Sequence, residues 1–326
     1  MIKSKNKSDE NLTSATDKLK EILNDKSLPN LTLGNSNTFE YDRIKFGIPA
    51  LDKLTGGGIP KRRMTLLYGP TNVGKSYLAS QIVANSLKEN KNSIAAWIDT
   101  EISYDKNWFE RCGVDTDRLV VNTPSSGEEA FDYMRGLMKH GVSVIVLDSI
   151  AGLVPATVID ENFSYNPMAW QARFVNSALP KLLPNIGRET AFIAINQVRS
   201  SMGPSALDAM PGGIGQTFFS HSMLQVRRHG WIKEENQNVG FEIEVRLRKS
   251  KVGGDNWQSA IVPFRQEGGI DIVESFIREG IEKRIIIQTG AWYTYNENKI
   301  MGLSKLKEHF LNNEDELKKL TDEVST

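Results

Sequence analysis

The chain has 326 residues, of which 39% are apolar, enough to bury a substantial core. Its 40 Lys and Arg balance 40 Asp and Glu, so net charge neither indicates nor excludes an anionic polymer as a partner. No apolar run approaches the roughly 20 residues that a membrane-spanning helix needs, the start MIKSKNKSDEN is not a secretory signal, and one cysteine, Cys112, excludes a disulfide framework. These features predict a globular cytoplasmic protein.

Residues 1–43 are predicted to form an N-terminal oligomerisation helix and linker. We expect residues 1 to about 10 to be disordered and residues 30–33 to form a short exposed strand. Between them, one helical face collects the apolar residues Leu12, Ala15, Leu19, Ile22 and Leu23. Such a stripe must pack either on its own domain or on a neighbouring subunit.

Residues 44–268 alternate strand-like and helix-like segments, which predicts an α/β core around a mostly parallel sheet. The predicted strands are 64–68, 94–98, 119–122, 144–148, 191–196, 223–227, 241–249 and 260–264. The predicted helices are 77–88, 106–111, 128–139 and 168–183, and Pro180 should bend or end the last one. The segment after Gln197 is predicted to form a long mobile loop. Residues 269–326 are predicted to form a small C-terminal α+β domain that ends in a helical segment at 304–324.

The segment MTLLYGPTNVGKS predicts a phosphate-binding loop between a buried strand and a helix, because residues 69–76 fit G-x-x-x-x-G-K-[ST]. Gly69 and Gly74 let the backbone wrap a polyphosphate, so that N–H groups and the helix N-terminus face its charge. Lys75 is expected to reach the β- and γ-phosphates and Ser76 to bind Mg²⁺. The predicted nucleotide contacts of this segment are Gly69, Pro70, Thr71, Asn72, Val73, Gly74, Lys75, Ser76 and Tyr77.

Three polar residues follow apolar strands and are expected at the carboxyl edge of the sheet. Asp148 ends VIVLD and would stand beside the Mg²⁺. Glu101 follows AAWIDT and would orient and deprotonate a water that attacks the γ-phosphate; the alternative is a solvated loop acid. Gln197 would touch the γ-phosphate and leads directly into the long loop, which suggests a switch that couples nucleotide state to loop order.

Seven motifs occur in the order and spacing of RecA recombinases: GPTNVGKS, IDTE, VIVLDS, INQVR, MPGGIG, RKSK and GAWYTYNENKI. From about residue 46 to residue 302 the chain resembles this family, and the N-terminal helix is similar more weakly. The resemblance implies a RecA-type P-loop ATPase core, a short N-terminal helix and strand arm, and a small C-terminal α+β domain. It also implies ATP and Mg²⁺ as cofactors and a DNA-dependent ATPase activity.

The resemblance further implies roles for individual residues. Glu101 would be the hydrolytic base and Gln197 the γ-phosphate sensor, while Asp105 and Trp108 would hold adenine, although core packing is an alternative for Trp108. Residues 158–173 correspond to a first DNA loop and residues 200–213 to a second. The implied DNA contacts are Met168, Arg173, Asn176, Arg199, Ser200, Ser201, Met202, Gly212 and Gly213. Met168 could instead be a core methionine on an amphipathic helix.

Lys249 and Lys251 lie two residues apart on a predicted strand, so their side chains should share one face. They could form a solvated basic edge. The resemblance instead implies that this pair is catalytic and crosses the subunit boundary to the γ-phosphate bound next door. The sequence also departs from the bacterial pattern at four places. Thr217 stands where a lysine is usual, and Pro180 replaces a basic residue. The acidic C-terminal tail is absent, and the sequence of residues 252–269 differs.

The resemblance therefore implies a recombinase that forms a helical filament of its own copies on single-stranded DNA, pairs it with homologous double-stranded DNA and exchanges strands. No membrane partner is expected. Two alternatives stay open from the residues alone, a hexameric helicase motor of the same fold and a DNA-binding regulator switched by ATP. The paired loops and the RKSK strand favour the open filament.

Overall fold

The structure is a computed structural model that describes residues 6–28, 31–36, 40, 42–159, 167–198, 210–235, 237–265 and 268–325. The side chains of residues 6–14, 159, 167, 168 and 325 are outside this description. The chain divides into two compact units, Met1–Tyr41 and Asp42–Thr326. The finer boundaries at residues 43 and 268 remain predictions.

The first unit contains one helix among its described residues, α1 (Asn6–Asn24). This helix begins before residue 10, so the prediction of disorder up to that point was wrong for residues 6–10. Leu19, Ile22 and Leu23 of the apolar stripe are exposed. Residues 31–33 are not in a strand, in contrast to the prediction for 30–33, and residue 30 lies outside the described part.

The second unit contains fourteen strands among the described residues. They are β1 (Arg43–Ile44), β2 (Ile59–Pro60), β3 (Met64–Gly69), β4 (Ala95–Asp99), β5 (Leu119–Asn122), β6 (Val144–Asp148), β7 (Ala191–Gln197), β8 (Ser222–Glu234), β9 (Gln237–Ser250), β10 (Ser259–Arg265), β11 (Gly269–Ile270), β12 (Ile287–Thr289), β13 (Trp292–Tyr295) and β14 (Asn298–Met301). As far as the structure describes the chain, the central sheet has nine strands in the order β11-β10-β9-β8-β3-β7-β6-β4-β5.

The six strands from β5 to β8 in that order run parallel, whereas β9, β10 and β11 pair antiparallel at the other edge. The predicted mostly parallel sheet is therefore confirmed. Strands β3, β4 and β6 are buried along their whole length, as expected for parallel strands with helices on both faces. Alternate side chains of β6 enter the two separate apolar cores on either side of the sheet.

Helices cover both faces of this sheet. In chain order they are α2 (Pro49–Thr55), α3 (Lys75–Glu89), α4 (Lys106–Arg111), α5 (Gly127–Lys139), α6 (Ala156–Ile159), α7 (Pro167–Leu182), α8 (Gly215–Phe219), α9 (Ile272–Glu282), α10 (Leu303–Asn312) and α11 (Glu314–Ser325). Side-chain caps begin several of them: Ser126 accepts a hydrogen bond from the N–H of Glu129 at the start of α5, and Asp271 accepts one from Glu274 at the start of α9.

The C-terminal segment forms a small α+β layer of its own. Strands β12, β13 and β14 form an antiparallel sheet, and α9, α10 and α11 pack with it around Ile277, Tyr295, Phe310 and Leu320. The single helical stretch expected at 304–324 is two helices that meet at Asn313. None of the described helices is long and apolar enough to cross a membrane.

Candidate active site

The segment between β3 and α3 forms a tight loop that depends on glycine at both ends. A Cβ atom on Gly69 would lie 2.0 Å from the carbonyl oxygen of Val226 on β8. Gly74 caps α3 at φ 93°, and a Cβ atom there would lie 2.6 Å from the side chain of Ile243. Any other residue at these positions would push the loop away from the sheet.

Lys75 is the first residue of α3, and only 7% of it is exposed. Its Nζ donates a hydrogen bond of 2.5 Å to the carbonyl oxygen of Pro70 across the loop. Burial lowers the pKa of this ammonium group, and the nearby carboxylates of Asp148 and Glu101 oppose that shift. A buried cation at the N-terminus of a helix suits a polyphosphate, because the phosphate charge offsets its desolvation.

The predicted metal residues Ser76 and Asp148 touch each other, since Ser76 Oγ donates a 2.7 Å hydrogen bond to Asp148 Oδ2. Burial raises the pKa of Asp148 to about 6, and the charges of Glu101 and Asp99 add to the shift. A carboxylate in this state favours a bound cation. Among the residues that the structure describes, no cluster of three or more His, Cys, Asp or Glu could hold a metal ion alone. Mg²⁺ in nucleotide sites needs only one or two protein oxygens, because the phosphates supply others, so Ser76 and Asp148 fit.

Glu101 and Gln197 meet directly at the carboxyl edge of the sheet. Gln197 Nε2 donates a 2.6 Å hydrogen bond to Glu101 Oε1, and Ser149 Oγ donates a second one of 2.6 Å to the same oxygen. The structure thus brings together the ends of three strands, β4, β6 and β7. A carboxylate held by two donors beside the phosphate loop is placed to orient a water molecule.

A cavity of about 350 Å³ adjoins the metal residues and is lined by Ser76, Trp97, Ser103, Asp105, Trp108, Phe109, Arg111 and Asp148. The two predicted adenine residues therefore lie in one cavity next to the loop. Trp108 makes an edge contact with Tyr77, and their ring centroids are 6.3 Å apart. Asp105 caps α4 by accepting a 2.7 Å hydrogen bond from the N–H of Trp108. Trp108 also packs against the core, in line with the core-packing alternative, while its contact with adenine stays a prediction.

Comparison with known proteins gives consistent results. The RecA N-terminal domain family matches residues 11–291. The proteins named RecA from Aquifex pyrophilus, Rhodopirellula baltica and Mesoplasma florum are 33%, 32% and 34% identical to the chain over 293, 291 and 298 residues. These alignments cover 87–88% of this chain and 83%, 77% and 86% of those proteins. The chain belongs to the RecA family. This membership confirms the predictions of a RecA-type recombinase and of a DNA-dependent ATPase.

The residues predicted from the RecA resemblance to contact DNA are only partly described. Arg173 lies on α7 with its guanidinium 5.7 Å from the ring centroid of Trp170. Asn176, one turn later, packs closely against Gly215. A Cβ atom on Gly215 would lie only 1.8 Å from Asn176 Oδ1. Gly212 and Gly213 have φ angles of 81° and 72° and lie against α7 and its neighbours. Arg199, Ser200, Ser201, Met202 and the side chain of Met168 lie outside the described residues.

The lysine pair of the RecA signature RKSK lies at the end of β9. The strand ends at Ser250, so Lys251 is one residue beyond it rather than within a strand. Lys249 Nζ donates to the carbonyl oxygens of Thr217, at 2.5 Å, and Phe218, at 3.4 Å. Burial lowers the pKa of Lys249, and Lys251 lowers it further. Neither lysine is among the charges that shift the pKa of Lys75 in its own chain.

Sequence reasoning missed several polar residues that assemble this RecA-type site. Asn196, fully buried at the end of β7, donates hydrogen bonds of 2.7 Å to Gln216 Oε1 and 2.8 Å to the carbonyl oxygen of Pro211. Gln171 donates to three carbonyl groups of the segment 150–153 and so anchors α7. The available signal for Asn196 was its place beside Gln197 at the end of an apolar strand, whereas Gln171 lies within α7 and had no such signal.

Proposed function

We propose that this protein assembles as a helical filament on single-stranded DNA in the presence of ATP and Mg²⁺, pairs it with homologous duplex and exchanges strands. The observation that carries the proposal is the chain of contacts from Glu101 through Gln197 to the second predicted DNA loop. Gln197 binds Glu101, and its neighbour Asn196 binds Pro211, at the end of that loop. A change in the position of Gln197 on nucleotide binding would therefore be transmitted to the loop by two adjacent residues of one strand.

A second connection supports the same coupling on the side of the first predicted DNA loop. A single cavity of about 390 Å³ is lined both by Glu101 and Gln197 and by Pro155, Val158 and Gln171. Gln171 lies on α7, two residues before Arg173. DNA bound by this loop would thus act on a segment that lines the same cavity as Glu101.

The residues divide the chemistry of hydrolysis in a simple way. Lys75 and the N–H groups of the loop bind the phosphates, and Ser76 and Asp148 would hold Mg²⁺, which neutralises the charge that develops on them. Glu101 Oε1 would accept a proton from the attacking water, and Ser149 and Gln197 hold that oxygen in place. Asp105 and Trp108 would hold the adenine, and Lys249 and Lys251 would complete the site from the adjacent protomer.

Self-assembly is supported by the apolar stripe on α1, whose Leu19, Ile22 and Leu23 are exposed in the single chain. A neighbouring protomer would cover these side chains and gain roughly 25 cal/mol for each Å² of apolar surface removed from water. We also propose a cytoplasmic location. None of the described helices could span a membrane.

Electron microscopy of negatively stained samples tests the proposal most directly. With single-stranded DNA and a slowly hydrolysed ATP analogue, we expect open helical filaments, and in parallel assays DNA should stimulate ATP hydrolysis and homologous strands should exchange. Closed rings that unwind duplex DNA would contradict the proposal in favour of a helicase. DNA binding without filaments or exchange would favour an ATP-switched regulator.

A further inference from the structure

His221 lies in the turn between α8 and β8, in a position fixed by two backbone hydrogen bonds. Its N–H donates to the carbonyl oxygen of Met64 at the start of β3, over 2.9 Å, and its carbonyl oxygen accepts from the N–H of Lys251, also over 2.9 Å. The ring is therefore held between the first residue of β3 and the residue after β9. Its Nδ1 atom is buried and has no hydrogen-bond partner among the described residues.

Cations surround this ring. Burial, together with the charges of Arg63, Lys251 and Lys249, lowers the pKa of His221 to about 4. These charges lie in the segment before β3, at the end of β9 and at the residue that follows β9. Helix α8 contributes the carbonyl oxygens that bind Lys249 rather than a carboxylate. Within the part of the chain that the structure describes, no carboxylate is among the groups that shift the pKa of His221 or of Lys249.

Such an arrangement is unfavourable in an isolated chain. A buried polar atom without a partner costs about 1–3 kcal/mol, and like charges placed together disfavour each other. An anion that reaches the cluster would offset its like charges, because it brings negative charge to the lysines and offers acceptor oxygens to a protonated imidazole. Thr217, four residues earlier, contributes no charge to this surface.

We propose that His221 is a third basic contact, beside Lys249 and Lys251, to the polyphosphate bound by the neighbouring protomer, and that it takes up a proton as that contact forms. This inference rests on the proposed function, because it requires that protomers assemble with the lysine pair facing the next nucleotide. The imidazole is neutral in the free chain. When the phosphate oxygens approach, a proton from solvent binds the ring, and the imidazolium then donates a hydrogen bond to the phosphate.

Proton uptake by His221 would give filament assembly a defined pH dependence. The assembled state would hold one more proton per protomer than the free state, so assembly should weaken as the pH rises through the pKa that His221 has in the filament. Within that window, the affinity of assembly should change by up to about tenfold per pH unit for each protomer added.

Calorimetry measures this proton directly. The wild-type chain is assembled on oligothymidine with Mg²⁺ and a non-hydrolysable ATP analogue, at several pH values from 6.5 to 8, in two buffers with different ionisation enthalpies. The difference between the buffers gives the number of protons taken up. We expect His221→Gln to take up about one proton fewer per protomer than the wild type. His229→Gln is the matched control, because His229 is exposed on β8, and it should behave as the wild type.

A second variant guards against a simple loss of folding. His221→Arg carries a permanent cation, so it should assemble at pH 8 at least as well as at pH 6.5 and show no proton uptake at this position. Proton uptake by His221→Gln equal to that of the wild type, or a wild-type pH slope in His221→Arg, would overturn the inference. Micrographs of the same samples separate the two levels: if the wild type forms filaments, only the role of His221 has failed. If it forms none, the proposed function fails, and this inference fails with it.

Discussion

Asp148 and Lys75 are a buried carboxyl group and a buried ammonium group whose pKa values are shifted in opposite directions. Burial raises the pKa of Asp148 to about 6 and lowers the pKa of Lys75, and both shifts disfavour the charged form. A Mg²⁺–polyphosphate complex brings a cation to one and an anion to the other. The site is therefore built at a cost to the free chain that its ligand offsets.

Replacing Asp148 by Asn should stabilise the protein without nucleotide. The ordinary pKa of the carboxyl group is 3.8, and in the folded chain it is about 6. The folded state thus binds the proton more tightly, so this contribution to stability is complete below pH 3.8 and is lost as the pH rises through 6. Asp148→Asn should raise the free energy of unfolding at pH 7.5 by roughly 1–3 kcal/mol, and the gain should vanish near pH 4. Denaturant unfolding at the two pH values measures it.

Asp52 provides the control for this prediction. Burial also raises its pKa to about 6, but it accepts a hydrogen bond from the N–H of Phe46 before α2 rather than lining the nucleotide site. Asp52→Asn should show the same direction of pH dependence and keep Mg²⁺-dependent nucleotide binding, which Asp148→Asn should lose. An Asp148→Asn protein no more stable than the wild type at pH 7.5 would contradict the assigned cost.

Lys75 and Glu101 should separate nucleotide binding from hydrolysis. Lys75→Ala removes the buried cation and should weaken ATP binding at least tenfold. Glu101→Gln keeps the shape of the side chain but cannot accept the proton, so it should bind ATP normally and lose roughly 10²–10⁴-fold in DNA-stimulated turnover. Equilibrium binding of a fluorescent ATP analogue and steady-state hydrolysis distinguish the two. Turnover of Glu101→Gln at the parental rate would remove Glu101 as the base.

The sequence predicted some residues of the site and missed others for a physical reason. Lys75 and Asp148 each belong to a local sequence motif. Lys75 lies in a glycine-rich loop and Asp148 at the end of an apolar strand, so each can be found from its neighbours in the chain. Ser149 and Asn196 act through partners that are 48 and 20 residues distant in sequence. Only the register of the folded sheet brings those partners to them.

At the scale of elements, β11 contacts Tyr77, one of the predicted nucleotide residues, from the edge of the sheet. The N–H of Ile270 donates a 3.0 Å hydrogen bond to the hydroxyl of Tyr77 on α3. Tyr77 in turn makes edge contacts with Trp108 and Phe264, with centroids 6.3 and 5.1 Å apart. The segment 252–269, where the sequence departs from the bacterial pattern, thus ends beside the predicted adenine cavity.

Two adjacent glycines test this contact. A Cβ atom on Gly269 would lie 2.1 Å from the Tyr77 hydroxyl, whereas one on Gly268 would meet nothing within 4 Å. Both have positive φ angles, 76° and 95°, so both alanine variants share the backbone strain of about 1 kcal/mol. We expect Gly269→Ala to displace Tyr77 and weaken ATP binding several-fold more than Gly268→Ala does. Equal ATP affinities in the two variants would show that Tyr77 does not shape the site.

Helix α7 should contribute phosphate contacts to bound DNA. Arg173→Ala should weaken binding to single strands of any sequence and reduce the salt slope by about one counterion. Arg135→Ala on α5 is the control, because that arginine pairs with Asp132. Fluorescence anisotropy across a salt series, with ATP affinity measured in parallel, provides the readout. An unchanged slope in Arg173→Ala would exclude a phosphate contact by this residue.

The elements themselves were predictable to different degrees. Strands β3 to β7 were predicted to within one residue at each end, because each is a short apolar run with turn signals on both sides. Strands β8 and β9 extend well beyond the predicted 223–227 and 241–249, since their distal residues are exposed and pair through the backbone without an apolar pattern. The two-residue strands β1 and β2 are too short to leave any periodic signal.

At the scale of the whole molecule, the predicted catalytic set is split. Ser76 contacts Asp148 and Gln197 contacts Glu101, and both carboxylates act on Lys75, whereas Lys249 is held by the carbonyl oxygens of α8. The charges that act on Lys75 are the two carboxylates of its own site and do not include the lysine pair. Under the proposed function, a complete site therefore forms only where two protomers meet.

Mixing two inactive variants tests this division. A Lys251→Ala protein keeps a good phosphate loop, and a Lys75→Ala protein keeps good lysines. Each variant alone should hydrolyse ATP at a small fraction of the wild-type rate, through poor DNA binding or through slow turnover on DNA. In an equal mixture that assembles at random, about one junction in four joins an intact loop to intact lysines. DNA-stimulated hydrolysis should therefore recover to roughly a quarter of the wild-type rate and should peak near the equal ratio. Activity that stays at the level of the separate variants at every ratio, in filaments shown by differential labelling to contain both chains, would mean that the lysines do not act across the boundary. They would then form a solvated basic edge.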